Sequence, residues 1–135
     1  MSIILPLYDS SHTPVSANGK IVSVDTTGKL IVTTGTTGIT RTVLNAATYT
    51  LSSTDTLLAV TYTPTGIVNI TLPDVTSNPN IVCYVVDEGG NAGTNNITLT
   101  VSGSDTFFGG TEYIINNNYN SVHIYNDGSS KWGVL

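Results

Sequence analysis

Residues 87–93, which read DEGGNAG, combine the glycines and acidic side chains found in several kinds of binding loop. A phosphate loop needs Gly-x-x-x-x-Gly-Lys-Ser/Thr, or Gly-x-Gly-x-x-Gly ahead of a helix, but here there is no lysine and a strand pattern follows. A calcium loop needs alternating oxygen ligands and a closing glutamate, and Asp87, Glu88 and Asn91 supply only a fragment of that set. We therefore interpret the stretch as a turn between a strand ending at Val86 and one beginning at Asn96, with glycine supplying positive φ.

Residue types that carry catalysis are few and far apart in this chain. His12 lies in an N-terminal segment without strand pattern and His123 on the polar face of a strand, so we expect neither to act as a base. With Cys83 they make no recognised zinc spacing. No serine sits in a Gly-x-Ser-x-Gly elbow, and the acidic residues are scattered over turns rather than paired. We predict a protein that is not an enzyme and that holds no metal and no cofactor.

Aromatic residues are concentrated in the last third of the chain, where rings near loops can stack on sugars while Asn and Asp bind hydroxyl groups. The candidate glycan-contacting residues are Tyr119, Tyr125 and Trp132, with Tyr113 nearby in sequence. The competing interpretation, which we favour, is that these rings fill the core or a subunit interface.

Composition narrows the class of partner. Only 10% of the 135 residues are charged, against roughly 25% in an ordinary soluble domain. Thr, Ser and Asn must therefore supply the surface polarity, which suits threonine-rich strands packed against copies of the same chain. The net charge of −5, with only four Lys and Arg residues, argues against nucleic acid as a partner. The single cysteine, Cys83, lies in an apolar run and is expected to be a small core residue.

The sequence contains no targeting or membrane signal that we recognise. The N-terminal MSIILPLYDSSH has no basic region, its apolar run is broken by Pro6, and no small-residue cleavage site follows. Nor does any window reach the ~20 apolar residues of a membrane span. We expect synthesis in the cytoplasm without a signal peptide, and no membrane partner.

Period-two patterning predicts an all-β fold. Val68, Ile70 and Leu72 alternate with polar residues, and similar alternation recurs in residues 97–101 and 121–124. The run from Ile81 to Val86 is apolar throughout, which predicts a central strand covered on both faces. Strand patterns are separated by Gly, Asn, Asp, Pro and Ser. Asn126-Asp127-Gly128 predicts a hairpin that joins two such strands at the C-terminus.

The helical alternative is confined to SSTDTLLAV, residues 52–60, where Ser53 or Asp55 could cap a turn. The segment is short, and Leu58, Val60 and Tyr62 fit a strand equally well.

The N-terminal third has a different character. GKIVSVDTT from Gly19 and GKLIVTTGT from Gly28 form a weak nine-residue repeat. Its few apolar residues cannot bury themselves within one chain, so we interpret residues 19–45 as a short-strand stalk completed by neighbouring chains. Residues 1–18 are either a disordered tail or an extended docking arm. The apolar tip of such an arm comprises Ile3, Ile4, Leu5, Leu7 and Tyr8.

The remainder of the chain, residues 46–135, resembles a module of virion fibre and decoration proteins. The resemblance lies in ITLP (70–73), VCYVVDEGGNA (82–92), NNITLTVSGSDTF (95–107) and YIINNNYNSVHIYNDGSSKWGVL (113–135). This order of turns and strand starts is similar to that in bacteriophage tail-fibre and head-fibre proteins and in structural proteins of large DNA viruses. The resemblance implies an antiparallel β-sandwich, jelly-roll-like and commonly trimeric, displayed on a virion. Residues 87–93 depart from the family pattern, because they are richer in glycine.

The patterning and the resemblance agree on one functional prediction. We expect a non-enzymatic structural protein of the virion, a homotrimeric capsid fibre or decoration protein. Its partners would be itself and, through the arm, a capsid or other virion protein. The alternative is a receptor-binding tail-fibre module that engages host surface glycan through its aromatic residues.

Overall fold

The computed structural model describes residues 38–135 and, upstream, the backbone of residues 16–17, 20–24 and 30–34. The chain divides into two units, Met1–Gly38 and Ile39–Leu135. In the first unit β1 (Ser16–Ala17), β2 (Lys20–Val24) and β3 (Leu30–Thr34) form an antiparallel sheet. The predicted docking arm, Ile3, Ile4, Leu5, Leu7 and Tyr8, lies outside the described residues, as does His12.

The second unit consists of strands joined by turns and loops. These are β4 (Arg41–Leu44), β5 (Thr48–Thr50), β6 (Leu57–Val60), β7 (Val68–Thr71), β8 (Val82–Asp87), β9 (Ile97–Thr100), β10 (Thr106–Phe107), β11 (Glu112–Ile115), β12 (Ser121–Asn126) and β13 (Lys131–Val134). The described part of the chain contains no helix, so the all-β prediction is confirmed there. It therefore contains no helix that could span a membrane. The candidate helix in residues 52–60 is a turn followed by β6.

Two sheets face one core in this unit. One has the order β10-β13-β12-β8-β6-β4 and the other β11-β9-β7-β5. From β4 to β9 the chain alternates between the two sheets. Each strand from β6 to β9 pairs in parallel with the strand that precedes it by two in the chain. This coil of stacked parallel strands gives the first part of the unit a β-solenoid-like arrangement.

Antiparallel pairing, which the sequence analysis expected throughout, is found only in the last part of the unit. There β11 pairs with β9, and β12 pairs with β8 and β13. The expectation is wrong for β4 to β9 and for β10, which pairs with β13 in parallel. An alternating pattern indicates that one face of a strand is buried, but not the direction of the neighbouring strand. Most of the turns between consecutive strands carry the chain from one sheet to the other.

Arg41–Leu44 belongs to the second unit although the sequence analysis placed it in the stalk. Its four residues pair with β6 from Arg41↔Leu57 to Leu44↔Val60. Leu44 is buried in the same core as the other strands of both sheets. The second unit accordingly begins at Ile39 and includes residues 39–45.

The core is built from the inward positions of both sheets. Alternation places every second side chain between the sheets, as in β7, where Val68 and Ile70 are buried while Asn69 and Thr71 are exposed. The side chains with no exposure at all include Leu58, Ile70, Leu72, Val75, Cys83, Val85, Leu99 and Ile124. The sequence pattern identified most of these positions correctly.

Strand β8 is central, as predicted, but only one of its faces is covered in the described unit. Cys83 and Val85 point into the core and are fully buried. Val82 and Tyr84 point the other way, and 48% and 41% of their surfaces are exposed. The prediction of a strand buried on both faces is therefore wrong for a single copy of the unit.

Candidate functional site

The loop that follows β8 is built around the buried carboxylate of Asp87. Its Oδ1 accepts the N–H of Asn91 at 3.2 Å, and its Oδ2 accepts those of Ala92 at 2.9 Å and Tyr119 at 3.0 Å. Gly90 has φ +67°, in the left-handed region that favours glycine. Because the loop's own carboxylate occupies the N–H groups that would hold a phosphate, the geometry agrees with a structural turn.

A second buried carboxylate, Asp55, ties three segments together. It accepts hydrogen bonds from Thr42 Oγ1, Tyr49 Oη and the N–H of Ser52, each at 2.8 Å. Burial, reinforced by the hydrogen bond to Asp55, raises the pKa of Tyr49 to about 12. This carboxylate therefore has the chain's own donors around it rather than a substrate's.

Three further buried polar side chains hold loops in the same way. Asp105 accepts the N–H of Val75 at 2.9 Å. Asn95 accepts the N–H of Gly66 and donates to the carbonyl of Pro64, both at 2.9 Å. Asn126 makes an equivalent pair of bonds to the segment 78–80, at 2.8 Å each. Buried polar groups require such partners, so the folded loops account for these residues.

The residues with nucleophilic or metal-binding character do not converge. Cys83 is fully buried, and burial raises the pKa of its thiol to about 12, so it is not an activated thiolate. His123 stacks on Tyr84, with ring centroids 3.8 Å apart, and its buried Nε2 has no hydrogen-bond partner. Among the described residues no three His, Cys, Asp or Glu side chains approach closely enough to hold a metal ion.

The outward side of the six-stranded sheet is an apolar surface, which we call the outer face. Strand alternation and register place it on β4, β6, β8 and β12. It comprises Val43, Leu57, Val82, Tyr84, Val86 and His123, with the fully buried Ala59 between Val43 and Val86. Its charged neighbours Arg41 and Glu88 pair with each other, with Nε to Oε1 at 3.0 Å. The surface thus presents hydrocarbon and aromatic groups without an uncompensated charge.

A groove lies on the same outward side of this sheet, at the C-terminal hairpin, where Tyr125 pairs with Val82 of the outer face. We call it the aromatic groove. It has a volume of about 110 Å³ and is lined by Phe108, Tyr125, Asp127, Lys131, Trp132 and Gly133. The ring of Tyr125 lies across Gly133, because its atoms would be only 2.8 Å from a Cβ at that position. The hairpin predicted at Asp127-Gly128 is confirmed, with Gly128 at φ +72°.

The candidate glycan-contacting residues have three different environments. Tyr125 and Trp132 both line the aromatic groove. Trp132 is only 1% exposed and packs in the core, where its indole N–H has no acceptor, so it offers no open ring face. Tyr119 lies elsewhere, in the loop of residues 116–120, 74% exposed and with its ring over Gly90. The structure therefore brings two of the three residues together.

The other residues of the groove were not predicted from the sequence. Phe108 is 66% exposed and forms one wall, while Asp127 and Lys131 supply the polar rim. A usable signal was present in Phe107-Phe108-Gly109-Gly110, because adjacent glycines mark a tight turn and connecting segments lie on the surface.

Comparison with known proteins leaves the resemblance noted above without independent support. No family model matches the chain, and no curated protein matches it significantly.

Proposed function

We propose that this chain is a non-enzymatic structural protein of a virion, a homotrimeric capsid fibre or decoration protein. The observation that carries the proposal is the outer face. A large exposed apolar surface on a chain of this kind favours association with another protein surface, and homomeric assembly is the commonest way to cover one.

The composition of the outer face suits packing between identical copies. Three of its side chains are 41–52% exposed, namely Val43, Val82 and Tyr84. They share the face with half-buried Leu57 and Val86 on the neighbouring strands. Because the flanking Arg41–Glu88 pair is internally neutral, two copies can approach without like-charge repulsion. The neutral, apolar centre resembles that of homomeric interfaces, which are depleted in charge.

The absence of catalytic activity is supported by what the buried carboxylates do. Asp55, Asp87 and Asp105 each accept hydrogen bonds from the chain's own loops. A general acid or base must instead present its carboxyl group to a substrate. These carboxylates have structural roles.

The trimeric state, the virion location and the docking role of Ile3, Ile4, Leu5, Leu7 and Tyr8 come from the resemblance of residues 46–135 to fibre modules. In this proposal the module is a two-sheet sandwich that begins as a parallel coil and closes with antiparallel strands. The arm binds a capsid or other virion protein, and the β-module faces outward.

Two measurements test the proposal. Light scattering on the purified full chain should give the mass of a trimer, and a monomer at micromolar concentration would contradict it. Purified particles should carry the chain at a copy number that is a multiple of three. Its absence from particles would reject the virion role even if the chain trimerises.

A further inference from the structure

Phe108 occupies a turn position that its residue type does not favour. Phe107 and Gly110 exchange both backbone hydrogen bonds, at 2.7 and 2.9 Å, and so close a two-residue turn around Phe108 and Gly109. Both central residues have positive φ, +48° and +88°, the conformation in which Asn-Gly is the preferred sequence. A bulky residue in the left-handed region is strained, and strain of this kind collects at functional sites.

The strained turn holds an apolar ring out in solvent beside the aromatic groove. Phe108 is 66% exposed, and its N–H donates to the carbonyl of Trp132 at 3.2 Å, which fixes the turn against β13. Tyr125 stands on the neighbouring strand, and its ring lies across Gly133, which has no side chain to displace it. Phe108 and the Tyr125 ring therefore border the same groove.

The rim of the aromatic groove carries one hydrogen-bond acceptor, Asp127, and one donor, Lys131. Asp127 Oδ1 accepts the N–H groups of Ser129, Ser130 and Lys131 at 2.9–3.0 Å, and these bonds hold the pKa of Asp127 below its usual value. Within the described part of the chain its Oδ2 accepts no hydrogen bond, and the Lys131 ammonium forms no ion pair. A fixed carboxylate oxygen and an ammonium group therefore both border the aromatic groove.

We propose that the aromatic groove binds one pyranose ring of an uncharged glycan. A pyranose has a flat C–H face that packs on an aromatic ring and a rim of hydroxyl groups that both donate and accept hydrogen bonds. Phe108 and Tyr125 match the first feature, and Asp127 and Lys131 match the second. Apolar walls with a few convergent polar groups are the usual construction of small-ligand sites.

The opposite charges at the rim favour an uncharged sugar over an acidic one. A sugar acid would gain from Lys131 but would meet Asp127 and the chain's net charge of −5. This inference does not depend on the virion role, but it requires that self-association through the outer face leave Tyr125, the neighbour of Val82, uncovered.

Titration of ¹⁵N-labelled full-length protein with methyl pyranosides tests the proposal. The probes are the methyl glycosides of glucose, galactose, mannose and N-acetylglucosamine, raised to about 50 mM, well above a Kd of about 1 mM. At least one should shift the amide signals of Lys131 and Gly133 and the indole signal of Trp132. No shift with any of the four, or shifts confined to other residues, would overturn the proposal.

The decisive variant is Phe108→Asn, which removes a wall while giving the turn its preferred residue. Binding should weaken at least ~10-fold in a protein that remains folded. Tyr119→Asn is the matched control, because Tyr119 is also an exposed aromatic residue with positive φ, +59°, but lies outside the groove. It should leave the Kd unchanged. Equal losses in both variants, or none in Phe108→Asn, would contradict the site.

Two further measurements distinguish a glycan from other molecules that could occupy the aromatic groove. A proline-rich peptide should produce no saturable shifts in the groove, and dilution without sugar should leave its signals in place. Saturable binding of the peptide, or shifts that depend on protein concentration, would assign the groove to a protein partner or to a second copy instead. Binding of methyl glucuronoside alone would overturn the preference for an uncharged sugar.

Discussion

Asp87 Oδ2 accepts the backbone N–H of Tyr119 at 3.0 Å across 32 residues of sequence. The same carboxylate closes the loop after β8 through Asn91 and Ala92. One buried side chain therefore fixes the positions of two loops and the setting of an exposed aromatic residue.

Replacing Asp87 with alanine should destabilise the second unit strongly. Three backbone N–H groups lose their acceptor, and an unsatisfied buried donor costs about 1–3 kcal/mol, so we expect a loss of at least about 3 kcal/mol. Urea denaturation measures it. Asp74→Ala is the control, because within the described residues the exposed Asp74 carboxylate is hydrogen-bonded to Ser77 alone, so the loss should be far smaller. Equal midpoints for the two variants would contradict this role for Asp87.

The phenol of Tyr49 should titrate late. Its pKa is raised to about 12 by burial and by the hydrogen bond to Asp55. The folded pKa exceeds the unfolded value of about 10. The contribution of the protonated phenol to the free energy of unfolding is therefore complete below pH 10 and is lost as the pH rises from about 10 to 12. Ultraviolet titration of the wild type and of Tyr49→Phe isolates this phenol. Ionisation of Tyr49 near pH 10 in the folded protein would contradict the prediction.

Cys83 should be inert to thiol reagents in the folded protein. It is fully buried, and its thiol pKa of about 12 leaves almost no thiolate at pH 8. Ellman's reagent should react only at the rate of unfolding and should react fully in urea. Rapid stoichiometric labelling of the native chain would show that β8 is open to solvent.

Phe108→Asn should stabilise the second unit while it weakens the groove. Asparagine fits the left-handed turn position that phenylalanine strains, and the relief of that strain is about 1 kcal/mol. Thermal unfolding followed by circular dichroism should show a higher Tm. A lower Tm would mean that Phe108 contributes packing which outweighs the strain.

Val82→Lys should disrupt self-association without unfolding the chain. The side chain is 48% exposed in one copy, so a lysine fits there, but burying its charge between copies is costly. Light scattering should show a shift from trimer toward monomer. Ile114→Lys is matched in exposure, at 43%, but lies on the other sheet. Loss of assembly in Ile114→Lys alone would place the interface on the four-stranded sheet.

Much of the local structure was predictable from the sequence, because side-chain alternation and turn residues depend on neighbouring residues in the chain. Alternation in residues 68–72 and 121–124 identified inward and outward side chains correctly. The Asp127-Gly128 hairpin followed from the backbone freedom of glycine and its preference for tight turns. The sequence also identified residues 87–93 as a turn, because no phosphate or calcium pattern was complete.

Strand direction, the outer face and the aromatic groove were decided by tertiary structure. Parallel and antiparallel strands with one buried face have the same alternation, so the coil from β4 to β9 could not be read from it. The apolar run 81–86 gave no sign that Tyr84 would remain exposed, because exposure depends on what the chain places over each face. Phe108 and Tyr125 are brought to one groove by the pairing of β10 and β12 with β13, and only the folded chain places them together.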